Sequence, residues 1–207
     1  MMRYERKYRI ESSNYDRVLH EIMSNPSGFN FAYPDRIVNS IYYDDVNFSA
    51  YNDNLLGIGD RIKYRVRWYG DSLTDVQKPI LEKKIKRSLL GTKEYQSLED
   101  FSLRDGAPTI STKTLTNELY PYIIVRYHRT YLVSADGLIR ATIDRNLQYF
   151  NLMNNKVSHV SNKDEGLILE IKYDEGNETI ANLCTQMIPY RLTKNSKYVS
   201  AMKYYLL

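Results

Sequence analysis

Cysteine is almost absent from this chain of 207 residues. Cys184 stands alone, which excludes an internal disulfide and fits a reducing compartment, the cytoplasm. Long apolar runs are also missing. Nothing approaches the ~18 consecutive apolar residues of a membrane-crossing helix, so no transmembrane segment is expected. The N-terminal run MMRYERKYRI is charged from its third residue and has no apolar stretch, which argues against a secretory signal. Charge of one sign is not in large excess: 29 Lys and Arg face 25 Asp and Glu, a net +4, so placement of charge matters more than its sum. Internal repeats, low-complexity tracts and long linkers are lacking, and a single domain over 1–207 is expected.

Tyrosine, by contrast, is abundant, with 20 residues against 5 Phe. Tyr favours strands, and its ring can pack while its hydroxyl stays at a wet boundary. The pattern predicts strands near 3–11, 36–45, 60–70, 79–88, 121–134, 137–150 and 166–175. Helices are predicted at 13–24, 46–54, 93–103, 177–188 and 195–205, with Asn14 or Ser13, Asp45, Asn177 and Ser196 as caps. The stretch 103–116 reads as a surface loop, and Asp136-Gly137 as a two-residue hairpin turn.

Residues alternate faces along a strand. From Arg61 to Trp68, one face carries Arg61, Lys63, Arg65 and Arg67; the other carries Ile62, Tyr64, Val66 and Trp68. Four cations on one face, about 6.6–6.8 Å apart, repel one another unless something neutralises them. The same signature recurs. Arg3, Glu5, Lys7 and Arg9 share a face, as do Glu82, Lys84 and Lys86, then Arg140, Thr142 and Asp144, then Glu170 and Lys172. An antiparallel sheet with one wet face also alternates in this way. Arg dominates the key positions here, however, and the apolar faces could pack outward on the predicted helices. The fold class that results is α+β: a closed antiparallel β-barrel of about eight strands forming a tunnel, with helices packed outside. A cationic interior of that kind needs a polyanion. Arg suits phosphate through its planar two-donor fork, and Lys adds compact charge. Interleaved Glu5, Glu82, Glu170 and Asp144 would orient the cations, and some could hold a divalent metal.

The ordered set RYERKYRI, SIYYDD, RIKYRVRWYG, LEKKIK, VRYHRTYL, RATIDRNL, LILEIKY and LTKNSKYVSAM resembles the VTC domain, the polyphosphate polymerase branch of the triphosphate tunnel (CYTH-like) superfamily. The resemblance runs from about residue 3 to 205. It implies transfer of the terminal phosphoryl of ATP to a growing inorganic polyphosphate chain, assisted by Mn²⁺ or Mg²⁺. It also implies that Lys7, Arg65, Arg67, Lys84, Arg129, Arg140 and Lys197 are the phosphate-binding, catalytic cations. Tyr127 and Ser196 match polar phosphate contacts, and Arg9, Lys86 and Lys172 join them as substrate-binding candidates on the charged faces. Glu170 matches the metal-binding carboxylate, with Glu5 or Glu82 beside it. Hydrolases of the superfamily open with Glu-x-Glu-x-Lys, whereas this chain has Arg3-x-Glu5-x-Lys7, which counts against simple triphosphatase activity. The chain resembles a free-standing bacterial version of the domain.

Two other outcomes of the same pattern are a triphosphate-binding or polyphosphate-binding module without turnover, and a tripolyphosphatase. Nucleic acid is not an expected partner, since no helix or stacking platform accompanies the basic faces. No transmembrane segment is expected in the chain itself, and a membrane protein is a candidate partner. His20, His128 and His159 have no ligand spacing, Cys184 reads as core, and Asp44 and Asp45 read as a helix cap in preference to a metal site.

Overall fold

The computed structural model describes residues 3–11, 14–88, 90–111, 118–153, 156–160 and 165–206. Its strands are β1 (Arg3–Ile10), β2 (Asn30–Asp44), β3 (Arg61–Tyr69), β4 (Asp75–Val76), β5 (Ile80–Arg87), β6 (Leu90–Ser97), β7 (Phe101–Ser102), β8 (Tyr120–Val133), β9 (Ile139–Met153), β10 (Lys156–His159) and β11 (Leu167–Asp174). Its helices are α1 (Tyr15–Met23), α2 (Ser49–Leu55), α3 (Glu178–Gln186) and α4 (Lys197–Tyr205). The main sheet has the hydrogen-bonding order β10-β9-β11-β1-β6-β5-β3-β2-β8, and β9 also pairs with β8. Eight of its strands therefore close in a ring, as the alternating sequence predicted for a mostly antiparallel α+β chain. By internal contacts the chain divides into two compact units: residues 1–36, 127–147 and 164–195, and residues 37–126, 148–163 and 196–207.

In the first unit, β11 pairs antiparallel with β1 and with β9. The register sets Tyr4, Tyr8 and Ile10 beside Tyr173, Leu169 and Leu167, and Leu169 and Ile171 beside Ile143 and Ala141. These residues share a core with Val18 and Ile22 of α1 and Ala181 and Cys184 of α3. Each helix thus buries one apolar stripe on the apolar strand face, at roughly 25 cal/mol per Å² removed from water. Asn14 caps α1 by accepting from the Asp16 backbone N–H; the alternative, Ser13, lies outside the described residues. Asn177 precedes α3 without a side-chain cap bond.

In the second unit, β3 lies between β2 and β5, and β5 pairs with β6. Ile41, Tyr43, Tyr64, Val66 and Trp68 form its core with Val76, Leu103, Ile110, Leu119 and Ile124. Among the described residues, the cover on this apolar face comes from Val76, Leu103, Ile110 and Leu119, none of which lies in a helix. The helix predicted at 93–103 is replaced by β6 and β7, because Thr92, Glu94 and Gln96 alternate with Lys93 and Tyr95 and the whole of β6 pairs with β5. The stretch after it is more than a surface loop: Leu103 and Ile110 are buried, and Ile110 bridges Leu119, while 112–116 lies outside the described residues. The Asp136-Gly137 turn is also longer than two residues. The Ser134 backbone N–H bonds Ile139 O at 2.9 Å, Gly137 takes a φ of 75°, and the Asp136 carboxylate accepts from the Leu138 N–H.

Candidate functional site

Burying one face of each strand leaves the charged face opposite, and the register decides which charges meet. In the first unit, Lys7 stands across from Glu170, and Glu170 from Thr142; Glu5 stands across from Lys172, and Lys172 from Arg140. Lys7 Nζ lies 3.3 Å from Glu170 and 3.7 Å from Glu5. Lys172 Nζ lies 2.8 Å from Glu170, and Arg129 reaches the same carboxylate at 3.7 Å. Arg129 grips Asp144 with two bonds, Nε to Oδ1 at 2.5 Å and Nη2 to Oδ2 at 2.7 Å, and both residues are buried. Burial would pull the guanidinium pKa down, but Asp144 beside it holds it well above its usual value. Tyr127 is buried with its ring 5.1 Å from the Arg129 guanidinium, so Tyr127 and Arg129 share a side of β8. Arg140 is exposed, and Arg9 pairs with Glu11 at 2.8 Å. Gly166 leaves room for the Arg9 guanidinium, which would overlap a Cβ at that position.

Cations prevail in the second unit. Lys63, Lys84 and Lys93 stand directly across from one another on three neighbouring strands. Beside this rung, Arg65 stands across from Glu82, and Arg61 from Lys86. Glu82 is buried and ringed by charge: Arg65 Nη2 at 2.5 Å, Arg67 Nη1 at 3.2 Å and Lys93 Nζ at 3.5 Å. Burial alone would raise the Glu82 pKa, but Arg65, Arg67 and Lys93 together hold it far below the usual carboxylate range. Arg61, Lys63, Arg65, Arg67, Lys84, Lys86 and Lys93 thus share this face with the carboxylate of Glu82. Like charges directly opposite destabilise a sheet by up to ~1 kcal/mol per pair. A face built this way favours binding a polyanion.

Helix α4 begins on that charged side. Lys63 donates to Ser196 Oγ at 2.9 Å, and Ser196 also accepts from the Val199 N–H as the helix cap. Lys197 is buried. Tyr198 stacks on Tyr42 at 5.2 Å, and the Tyr42 hydroxyl accepts from Arg65 Nη1 at 3.3 Å. The Tyr198 hydroxyl donates to the buried Asp44 carboxylate at 2.5 Å; burial, helped by that carboxylate, pushes the phenol pKa up. Asp44 accepts as well from the Asp45, Ala50 and Tyr51 N–H groups, and Asp45 from those of Asn47 and Ser49. Both aspartates therefore serve the start of α2.

Sequence reasoning missed Lys93, Tyr42 and the Tyr198–Asp44 pair. Lys93 fell in the helix assignment at 93–103; the two-residue alternation of Thr92 to Gln96 is the signal that could have found it. Nothing local marks Tyr42 as the partner of Tyr198, because the two are brought together only by folding.

The donor set also bears on a divalent ion. Among the described residues, no three His, Cys, Asp or Glu side chains gather as a metal-binding group. Glu5 and Glu170 do converge on one ammonium, that of Lys7. Two carboxylates with phosphate oxygens and water suit Mg²⁺ or Mn²⁺, so this pair fits such an ion. Glu82 and Glu170 are each held by three cations, contacts that orient the basic side chains around both carboxylates.

The VTC domain pattern matches residues 2–106 and 100–206. The chain belongs to the VTC-domain family. A curated relative, Vacuolar transporter chaperone complex subunit 2 of Saccharomyces cerevisiae, is 25% identical over 185 residues, covering 69% of this chain and 22% of that protein. The chain therefore spans about a fifth of the length of that relative. Among solved structures, the PH1819 protein of Pyrococcus horikoshii OT3 superposes with a TM-score of 0.54 at 11% identity, over 96% of this chain and 95% of that one. The Hippeastrum protein HpAC1, described as having a dominant triphosphatase activity, superposes with a TM-score of 0.54 at 15% identity, over 100% and 98%. At these identities the likeness is one of fold: this VTC domain shares the strand architecture of those two proteins. Among the described residues, no helix is long and apolar enough to cross a membrane.

Proposed function

We propose that this VTC domain binds the phosphates of ATP and inorganic polyphosphate and transfers the terminal phosphoryl of ATP to the polyphosphate chain. The observation that carries this reading is the Lys63–Lys84–Lys93 rung beside the Glu82-centred arginines. Phosphoryl transfer asks mainly for positioning and charge neutralisation. Arg65 and Arg67 offer planar forks to phosphate oxygens, with Lys84, Lys86, Lys197 and the Ser196 hydroxyl adding donors. In the other unit Lys7, Arg9, Arg129, Arg140 and Lys172 serve the same ligand class, with Tyr127 beneath Arg129 holding its plane. A terminal oxygen of the acceptor chain attacks the γ-phosphorus, the bond from that phosphorus to the β–γ bridging oxygen breaks, and ADP leaves with the electron pair. The attacking oxygen is already ionised, so no strong general base is needed. Glu170 with Glu5 would hold Mn²⁺ or Mg²⁺, which neutralises charge on the phosphates when bound. The yeast relative is a subunit of a complex, which supports a partner protein for this chain too, and a cytoplasmic location supplies ATP.

The same observations support a second reading, binding without turnover, because Glu5 and Glu170 are already engaged by Lys7, Arg129 and Lys172. Incubating purified protein with ATP and Mn²⁺ and running the products on a gel separates the two. Long chains that disappear in Arg65→Ala support the polymerase. Tight triphosphate binding with no product leaves the binding module, and release of free phosphate without chain growth supports a tripolyphosphatase.

A further inference from the structure

Beyond the phosphate cations, β8 carries an aromatic at the end of its charged row. Tyr131 lies two residues past Arg129, and the Arg129 guanidinium is 5.9 Å from its ring. Tyr33 of β2 meets Tyr131 edge-on, with centroids 5.8 Å apart and planes at 89°. Arg36 lies over both rings, 5.4 Å from the Tyr33 centroid and 5.7 Å from that of Tyr131. Tyr33 nevertheless keeps 58% of its surface exposed, and Phe31 keeps 57%. The neighbouring cleft, about 560 Å³, is lined by Tyr15, Phe31, Ala32, Tyr33, Pro34 and Asp35. A large, exposed aromatic needs an explanation when it sits beside a binding face instead of singly on the surface.

We infer that Tyr33, backed by Tyr131 and Arg36, is a stacking platform for the nucleobase of a nucleoside triphosphate whose phosphates lie against Arg129. This rests on the phosphate-binding reading above and extends it to the donor. The contact series runs from the Arg129 guanidinium to Tyr131 and then to the exposed Tyr33. A nucleoside triphosphate is built in the same order, with an anionic end, a sugar and a flat π-system. Inorganic polyphosphate has no group for this platform, so Tyr33 separates donor from acceptor. Stacking on a tyrosine reads the π-face and not the base edge, so discrimination among purine triphosphates is weak.

The test compares ATP with inorganic tripolyphosphate by calorimetry on the whole chain, in wild type, Tyr33→Ala and Tyr33→Trp. Because Tyr33 is exposed, its replacement leaves the core intact. Loss of one base stack is worth ~1–3 kcal/mol, so Tyr33→Ala should bind ATP about 5–150-fold more weakly and tripolyphosphate unchanged. Tyr33→Trp should restore ATP affinity. Equal ATP affinity in wild type and Tyr33→Ala, with tripolyphosphate binding intact, overturns the platform alone. Equal weakening of both ligands also overturns it, since the effect would then be structural. Failure of wild type to bind either ligand overturns the phosphate reading on which it rests.

Discussion

Glu82→Gln tests whether the arginine fork is organised by one buried carboxylate. The Glu82 side chain is 5% exposed and lies 2.5 Å from Arg65, 3.2 Å from Arg67 and 3.5 Å from Lys93. Replacing it with an amide keeps the shape and deletes the negative charge that these three cations share. Removing one partner of a buried ion pair destabilises by about 3–5 kcal/mol, because the remaining charge stays buried with less compensation. At about 2–4 °C per kcal/mol for a chain of this size, the melting temperature should fall by roughly 6–20 °C. The pH dependence follows from the same contacts. The folded pKa of Glu82 lies below its ordinary value of 4.5, so its stabilisation is complete above that value. As pH falls below it, the unfolded state takes up the proton first and the stabilisation is lost. Glu82→Gln should therefore lower stability most at neutral pH and flatten the acid limb of the stability curve. Added tripolyphosphate should recover more stability in the variant than in wild type, since the anion supplies the missing charge. Urea denaturation from pH 3 to 7, with and without tripolyphosphate, measures all three effects. A variant within about 0.5 kcal/mol of wild type, with the same acid limb, would refute the argument, because that is the scatter of ordinary surface changes.

Lys84→Met should act in opposite directions on stability and binding. It relieves the opposition of Lys84 to Lys63 and Lys93, raising stability by about 0.2–1 kcal/mol, while tripolyphosphate affinity and its salt dependence should drop in titrations at two ionic strengths; unchanged affinity would remove the rung from the binding face. Arg129→Met should lose about 3–5 kcal/mol in urea denaturation by leaving Asp144 buried without its fork, and Arg129→Met with Asp144→Leu should recover most of it. A silent single variant would show that the pair does not organise its face.

The strand faces were legible from the sequence because two-residue alternation is a local property. Arg61 to Trp68 separates into cations and apolar residues whatever its neighbours are, and the same test located Lys7, Glu170 and Lys172. The pairing of those charges was not legible, since register is set by side chains from distant parts of the chain packing together. Arg65 and Glu82 were both named as candidates, yet nothing in their sequence positions shows that Glu82 would hold Arg65, Arg67 and Lys93 at once. Residues 93–103 were misassigned because a short polar run can follow either period until a partner strand claims it. β5 claimed β6, and that pairing placed Lys93 in the rung.

The sequence alone therefore determined the class of fold, the VTC-type order of motifs and the gathering of cations on single strand faces. Alternation and residue chemistry carry that information without reference to anything distant. Only the tertiary structure decided how those charges are balanced. It placed three cations on Glu82, set Lys63, Lys84 and Lys93 across from one another, and surrounded Glu170 with Lys7, Lys172 and Arg129. Charge balance depends on separations of a few ångströms between strands far apart in the chain, and those separations exist only once both apolar faces are buried.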